Sequence, residues 1–177
     1  MNESAGGDSR MVTGVFDDGE SLESAYRVVA ARGYGTGDIN VLMSDEARRR
    51  YFAEDRDVNT ELGRKVEEGG ELGGPMGGAI GTLLPALVAA GVVALPGLGM
   101  VVAGPVAAAL AAAGAAGVTL GVIGLLGDWG IPEERARQYE ADIRDGGILL
   151  AVRPRTREDV QHFEREWRAI GARHLQS

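Results

Sequence analysis

"GGPMGGAIGTLLPALVAAGVVALPGLGMVVAG" runs from Gly73 to Gly104 without a charged residue. Gly73, Gly77 and Gly81 recur every four residues, a spacing that puts them on one face of a helix. Glycine costs about 1 kcal/mol against alanine inside a helix, so such a stripe needs a reason in packing. The uncharged run extends beyond the quotation and spans 56 residues, Leu72–Gly127. Pro96, Gly97 and Gly99 break it near its middle, with the composition of a tight turn. The reading is two helical arms, roughly Gly73–Leu95 and Pro105–Leu126, folded about Leu98. Gly81 then faces Gly114 or Ala115, Gly77 lies near Gly117 to Gly121, and Gly73 lies near Gly121 to Gly124. Small residues would meet small residues along the contact, and two helix backbones could approach closely, as in GxxxG packing.

Each arm holds about twenty residues and spans about 30 Å, the thickness of a bilayer core. Arg56, Arg64, Lys65, Arg135, Arg137 and Arg144 all flank the run and none lies in its turn. The positive-inside rule would then hold both termini in the cytoplasm. The nine Leu, Ile and Val residues between positions 80 and 98 favour insertion by about 3–5 kcal/mol before Gly, Thr and Pro subtract. The alternative is a soluble homo-oligomer whose hairpins bury one another, because a lone monomer would expose a large apolar surface.

All 18 Lys and Arg and all 26 Asp and Glu lie outside the run. The mean hydropathy of −0.05 therefore averages two unlike materials. A net charge of −8 and a pI near 4.8 argue against nucleic acid, whose binding depends on phosphate neutralisation. Cysteine is absent, which excludes disulfides and thiolate chemistry. "MNESAGGDSR" at residues 1–10 is polar and acidic. It reads as a disordered tail, unlike a secretory signal.

Outside the run the chain reads strand–helix–strand twice. "MVTGVF" (Met11–Phe16) suits a buried strand. Ser21 is the expected cap of a helix carrying Leu22, Ala25, Tyr26 and Val29, which Gly33 stops. "INVLM" (Ile39–Met43) is the second strand, and a short helix around "EARRRYF" follows. Pro132 opens an acidic-first helix with Ala136, Tyr139 and Ile143 along one stripe. "GILLAV" (Gly147–Val152) is the strongest strand. Thr156 caps the next helix, with Asp159 at its third position, and Val160, Phe163, Trp167 and Ile170 follow before Gly171 ends it. "RHLQ" closes the chain as a weak strand.

The fold class is α+β: a ferredoxin-like β-α-β-β-α-β domain interrupted by a long Gly/Ala-rich helical hairpin. Two helices would cover one face of its sheet. The domain comprises residues 11–56 and 130–177, and residues 57–129 form the glycine-zipper insert.

The catalytic motifs fail on inspection. "LPGLGMVVAG" has the glycine spacing of a dinucleotide turn, but the first acid after Gly99 is Asp128 and no strand precedes it. "GYGTGD" (Gly33–Asp38) lies between a helix and a strand, the reverse of a phosphate loop. His162 and His174 have no nucleophile motif near them. Arg48–Arg50 sit among Asp45, Glu46, Glu54, Asp55 and Asp57 and read as a solvated mixed face. No catalytic residue, metal or cofactor is expected, although a carboxylate cluster at Asp45, Glu54, Asp55 and Asp57 is where a metal would sit.

Three stretches together carry a resemblance: "VTGVFDDGESLESAYRVVAARGYGTGDINVLMSDE", the Gly/Ala-rich run, and "GDWGIPEERARQYEADIRDGGILLAVR". The chain resembles bacterial heat-induced or general stress proteins and, more distantly, a family of predicted membrane proteins. Pro132, Glu133, Glu134, Ala136, Tyr139, Glu140, Gly146 and Gly147 match the closing motif. The resemblance implies association with stress responses and no established activity. The leading expectation is a non-enzymatic, stress-associated protein, anchored in the cytoplasmic membrane and self-associating through its glycine-zipper hairpin. A soluble homo-oligomer is the alternative, and a small-molecule-sensing regulatory domain is a third reading.

Overall fold

The computed structural model describes residues 11–52, 92–95, 97–113 and 121–177. These residues form a mixed helix-and-sheet architecture. β1 is Val12–Phe16, α1 Gly19–Ala31, β2 Ile39–Ser44, α2 Asp45–Phe52, β3 Val92–Leu95 and β4 Met100–Ala103. α3 is Pro105–Ala113, α4 Gly121–Asp128, α5 Glu133–Arg144, β5 Ile148–Val152, α6 Arg157–Ile170 and β6 Arg173–Gln176. The six strands make one sheet in the order β3-β4-β2-β5-β1-β6, and every neighbouring pair is antiparallel.

Helix ends follow local chemistry. Asp18, and not the expected Ser21, caps α1: its carboxylate accepts from the Ser21 N–H at 2.7 Å. Gly33 continues past the α1 end at φ 80°, a conformation glycine adopts without steric cost. Thr156 caps α6 as expected, its hydroxyl accepting from the Asp159 N–H at 3.1 Å. Gly171 ends that helix at φ 101°.

Both sheet faces are covered, where one covered face was expected. On one face, Leu22, Ala25 and Val29 of α1 and Phe163 and Trp167 of α6 pack over Val12, Phe16, Val41 and Leu150. The Trp167 indole N–H donates to the Ala25 carbonyl at 3.2 Å, and its ring meets Phe16 edge-on at 5.7 Å. On the other face, Leu125 and Leu126 of α4 and Ala136, Tyr139 and Ile143 of α5 pack over Val15, Leu42, Val102 and Leu149. This second layer explains why β1, β2 and β5 are buried at every position. A strand sandwiched between two layers must be apolar on both sides, not alternating.

The largest correction falls in the uncharged run. Val92–Leu95, expected to end the first helical arm, is strand β3, and Met100–Ala103 is strand β4. The turn at Gly97 and Gly99 therefore joins two strands and not two helices. Val92, Val93, Val101 and Val102 are β-branched, which lowers helix propensity and suits a pleated surface. β4 lies along β2 in the register Val41↔Ala103, Leu42↔Val102, Met43↔Val101. Without it, the fully buried β2 would be a sheet edge with unpaired backbone groups. The second arm is helical in α3 and α4, but Gly121 opens α4 at φ 65°. The first arm before position 92, residues 1–10, and the positions of Glu54, Asp55 and Asp57 lie outside the described residues. Among the described residues no helix is long and apolar enough to cross a membrane.

The start of α3 shows how the run is fastened. Gly104 has no side chain to cap a helix and Pro105 has no N–H to be capped. Asn40 of β2, 2 % exposed, supplies the missing acceptor: its Oδ1 receives the Val106 N–H at 3.0 Å. Gly104 sits at φ 109°, and a Cβ there would meet the Ile39 carbonyl at 2.3 Å. Asn40→Ala should cost about 1 kcal/mol as a lost cap. Gly104→Ala should cost more than about 2 kcal/mol through strain and overlap. Denaturant unfolding measures both, and faster amide exchange across Val106–Ala112 should accompany the Asn40 change.

Candidate interaction surface

Among the described residues, β3 and α3 present an exposed, uncharged surface. Val92, at 39 % exposure, is the one exposed large hydrophobic side chain among the described residues. Ala94 is exposed with it, while Val93 is half-buried and Leu95 is buried. On α3, Ala107 enters the second core, and Ala108, Ala109, Ala111 and Ala112 face outward. Neither element carries a charge.

The turn between β3 and β4 is built by its glycines. The Leu98 N–H donates to the Leu95 carbonyl at 3.2 Å, and Gly97 stands at φ 78°. Glycine with positive φ at the third position is the signature of a type II turn. Gly99, at φ 62°, directs its carbonyl to the Asp45 N–H at 2.8 Å, so the hairpin tip is tied to the start of α2.

Of the residues expected to pack helix on helix, Gly73, Gly77, Gly81, Gly114 and Gly117 lie outside the described residues, as does Pro96 of the turn. Gly121 is described. It opens α4 at a left-handed φ of 65°, and among the described residues nothing comes within 4 Å of a Cβ placed there. Its expected partners Gly73 and Gly77 lie outside the described residues. Asn40, Val92 and Gly104 were not singled out from the sequence. The "GP" at Gly104–Pro105, a helix start unable to cap itself, was the available signal.

The cluster around Asp159 is closed on itself. Asp159 accepts from the Tyr34 hydroxyl at 2.6 Å, Arg32 Nε at 2.8 Å and the Thr156 hydroxyl at 2.9 Å. The Tyr34 hydroxyl in turn accepts from the Arg155 N–H at 2.7 Å. The Arg155 guanidinium lies 4.2 Å from the Tyr34 ring centre and pairs with Asp38. Burial works against ionisation of Asp159, but hydrogen bonds from Tyr34, Arg32 and Thr156 outweigh it and hold the carboxyl below its ordinary range. Burial, and then the bond to Asp159, push the Tyr34 hydroxyl up. Bonded to one another, these groups fasten the end of α1, the loop after β5 and the start of α6.

A second cluster pins the C-terminal strand. The buried Tyr139 hydroxyl donates to the His174 carbonyl at 2.6 Å and meets the Thr13 hydroxyl at 2.9 Å. Arg173 bridges Asp142 and Asp17. His162, half-buried on α6, touches Arg165 at 3.1 Å. Arg48, Arg49 and Arg50 pair with Asp45 and Glu46 on their own helix. Among the described residues no three His, Asp or Glu side chains converge as a metal requires. No family model, no curated protein and no solved structure matches the chain.

Asp159 is more acidic folded than unfolded, so its ionised form stabilises the fold above the unfolded carboxylate pKa of about 3.9. That contribution fades as pH falls through the lower folded value. Asp159→Asn should therefore lower Tm at neutral pH. The parent and variant curves should converge below about pH 3.9, as thermal unfolding across a pH series would show.

Proposed function

We propose that the chain is a non-enzymatic, self-associating module: a ferredoxin-like domain that carries an uncharged segment and assembles with copies of itself through it. The fold part of this reading draws on the order β2-β5-β1-β6. β1–α1–β2 and β5–α6–β6 form two interleaved units in those strands, with α1 and α6 on one face. β3, β4, α3 and α4 are then the insert between the second and third strands of that plan.

The observation that carries self-association is the exposed, charge-free surface of β3 and α3 on a chain of net charge −8. Apolar patches rimmed by polar surface mark interaction sites. The closed cluster around Asp159 favours a structural part over a catalytic one for its residues. The resemblance to general stress proteins makes a stress-induced structural role the setting of this reading. Bilayer anchoring rested on two helical arms meeting at Leu98, and the β-hairpin takes Val92–Leu95 out of the first of them.

Detergent-free sedimentation of the purified full chain tests the proposal. It predicts a discrete species larger than the 18.5 kDa monomer. A monomer at micromolar concentration, or protein recovered only in carbonate-resistant membranes, would overturn it. The same preparation should hold no stoichiometric transition metal by elemental analysis. One equivalent of metal would contradict the non-enzymatic reading.

A further inference from the structure

The two edges of the sheet differ in kind. β6, Arg173–Gln176, carries Arg173 and His174 and is anchored through Asp142, Asp17 and Tyr139. Charged residues on an edge strand are a device against pairing with another chain. Among the described residues β3 forms the opposite edge, and it has no charge or proline within Val92–Leu95. Its one sheet neighbour among the described residues is β4. The outer face of its ladder is a row of backbone donors and acceptors flanked by Val92 and Ala94, both exposed.

We infer that the outer edge of β3 is the seam between two copies of this chain, β3 pairing antiparallel with β3 about a twofold axis to join two six-stranded sheets. This inference rests on the self-associating reading above and names its contact. Charge selects the second copy as the occupant. Two chains of net charge −8 repel wherever their acidic surfaces meet, and a twofold contact sets each surface against itself. A contact centred on an uncharged element escapes that repulsion. Antiparallel pairing of a strand with itself is also self-complementary in its hydrogen bonds, as a twofold interface requires. A peptide partner or another segment of the same chain would satisfy the backbone too, and the experiment separates them.

Because the chain has no cysteine, a single substitution gives a unique thiol. Ala94→Cys should be captured as a covalent dimer by a short bismaleimide, since facing residues of paired strands lie within about 8 Å. Arg168→Cys, exposed on α6, should not. Ala94→Lys and Val92→Lys place like charges in the seam and should raise the dissociation constant at least about tenfold. Both positions are exposed, so circular dichroism and Tm should stay near the parent. Mixing Ala94→Lys with Ala94→Asp should restore association that neither has alone.

If the parent sediments as a monomer, the self-associating reading fails and this inference with it. If the parent is an oligomer that survives both lysine changes with no cross-linking at position 94, self-association stands and the β3 seam is wrong. Oligomers lost instead on Ala108→Lys or Ala111→Lys alone would move the contact to α3 and overturn the inference equally.

Discussion

The antiparallel ladder between β2 and β4 is the constraint on which the rest of the molecule turns. β2 is buried at all six positions, so it cannot end a sheet facing water without leaving its backbone groups unpaired. β4 takes that edge. Once Val41 lies opposite Ala103, Gly104 passes over the Ile39 carbonyl where no side chain fits. Asn40 is then in place to cap α3. That placement carries Ala107 into the second core beside Leu42, Met100 and Val102. A single strand pairing thus converts an uncharged stretch into an outer part of the domain and defines the second layer's extent.

Much of the domain was legible because its elements announce themselves locally. Val160, Phe163 and Trp167 recur at helical spacing between a Thr156 cap and a Gly171 stop, and α6 follows that pattern. Ala136, Tyr139 and Ile143 marked α5, and all three are buried. The apolar cores of β1, β2 and β5 lay where short apolar runs lay. The uncharged run resisted for a physical reason. Periodicity is read from the contrast between polar and apolar positions, and Val92–Ala103 has no such contrast. A short, continuously apolar run reads alike as helix or strand. The paired valines on each side of "PGLG" were the better guide. The glycines at positions 97, 99 and 121 stand at positive φ. Of the candidate surface, the turn was legible. Asn40 was not, because its role depends on a helix start distant in sequence.

Function follows from where polarity is spent. Asp159 and Tyr34, both buried, hold helix ends and loops together. Tyr139, whose hydroxyl is pushed up by burial, pins β6 to α5. Among the described residues, β3 and the outward face of α3 are exposed and uncharged. A surface of that kind suits association, and the acidic remainder of the chain limits where association can occur.

The most direct test is the structure of residues 92–103 in solution. Cross-strand nuclear Overhauser contacts should link Leu42 with Val102 and Val41 with Ala103, as the ladder requires. Backbone chemical shifts of Val92–Leu95 and Met100–Ala103 should be extended in character. Helical shifts through Val92–Leu95 with no contacts to β2 would contradict the account, because β2 would lose its partner and α3 its cap.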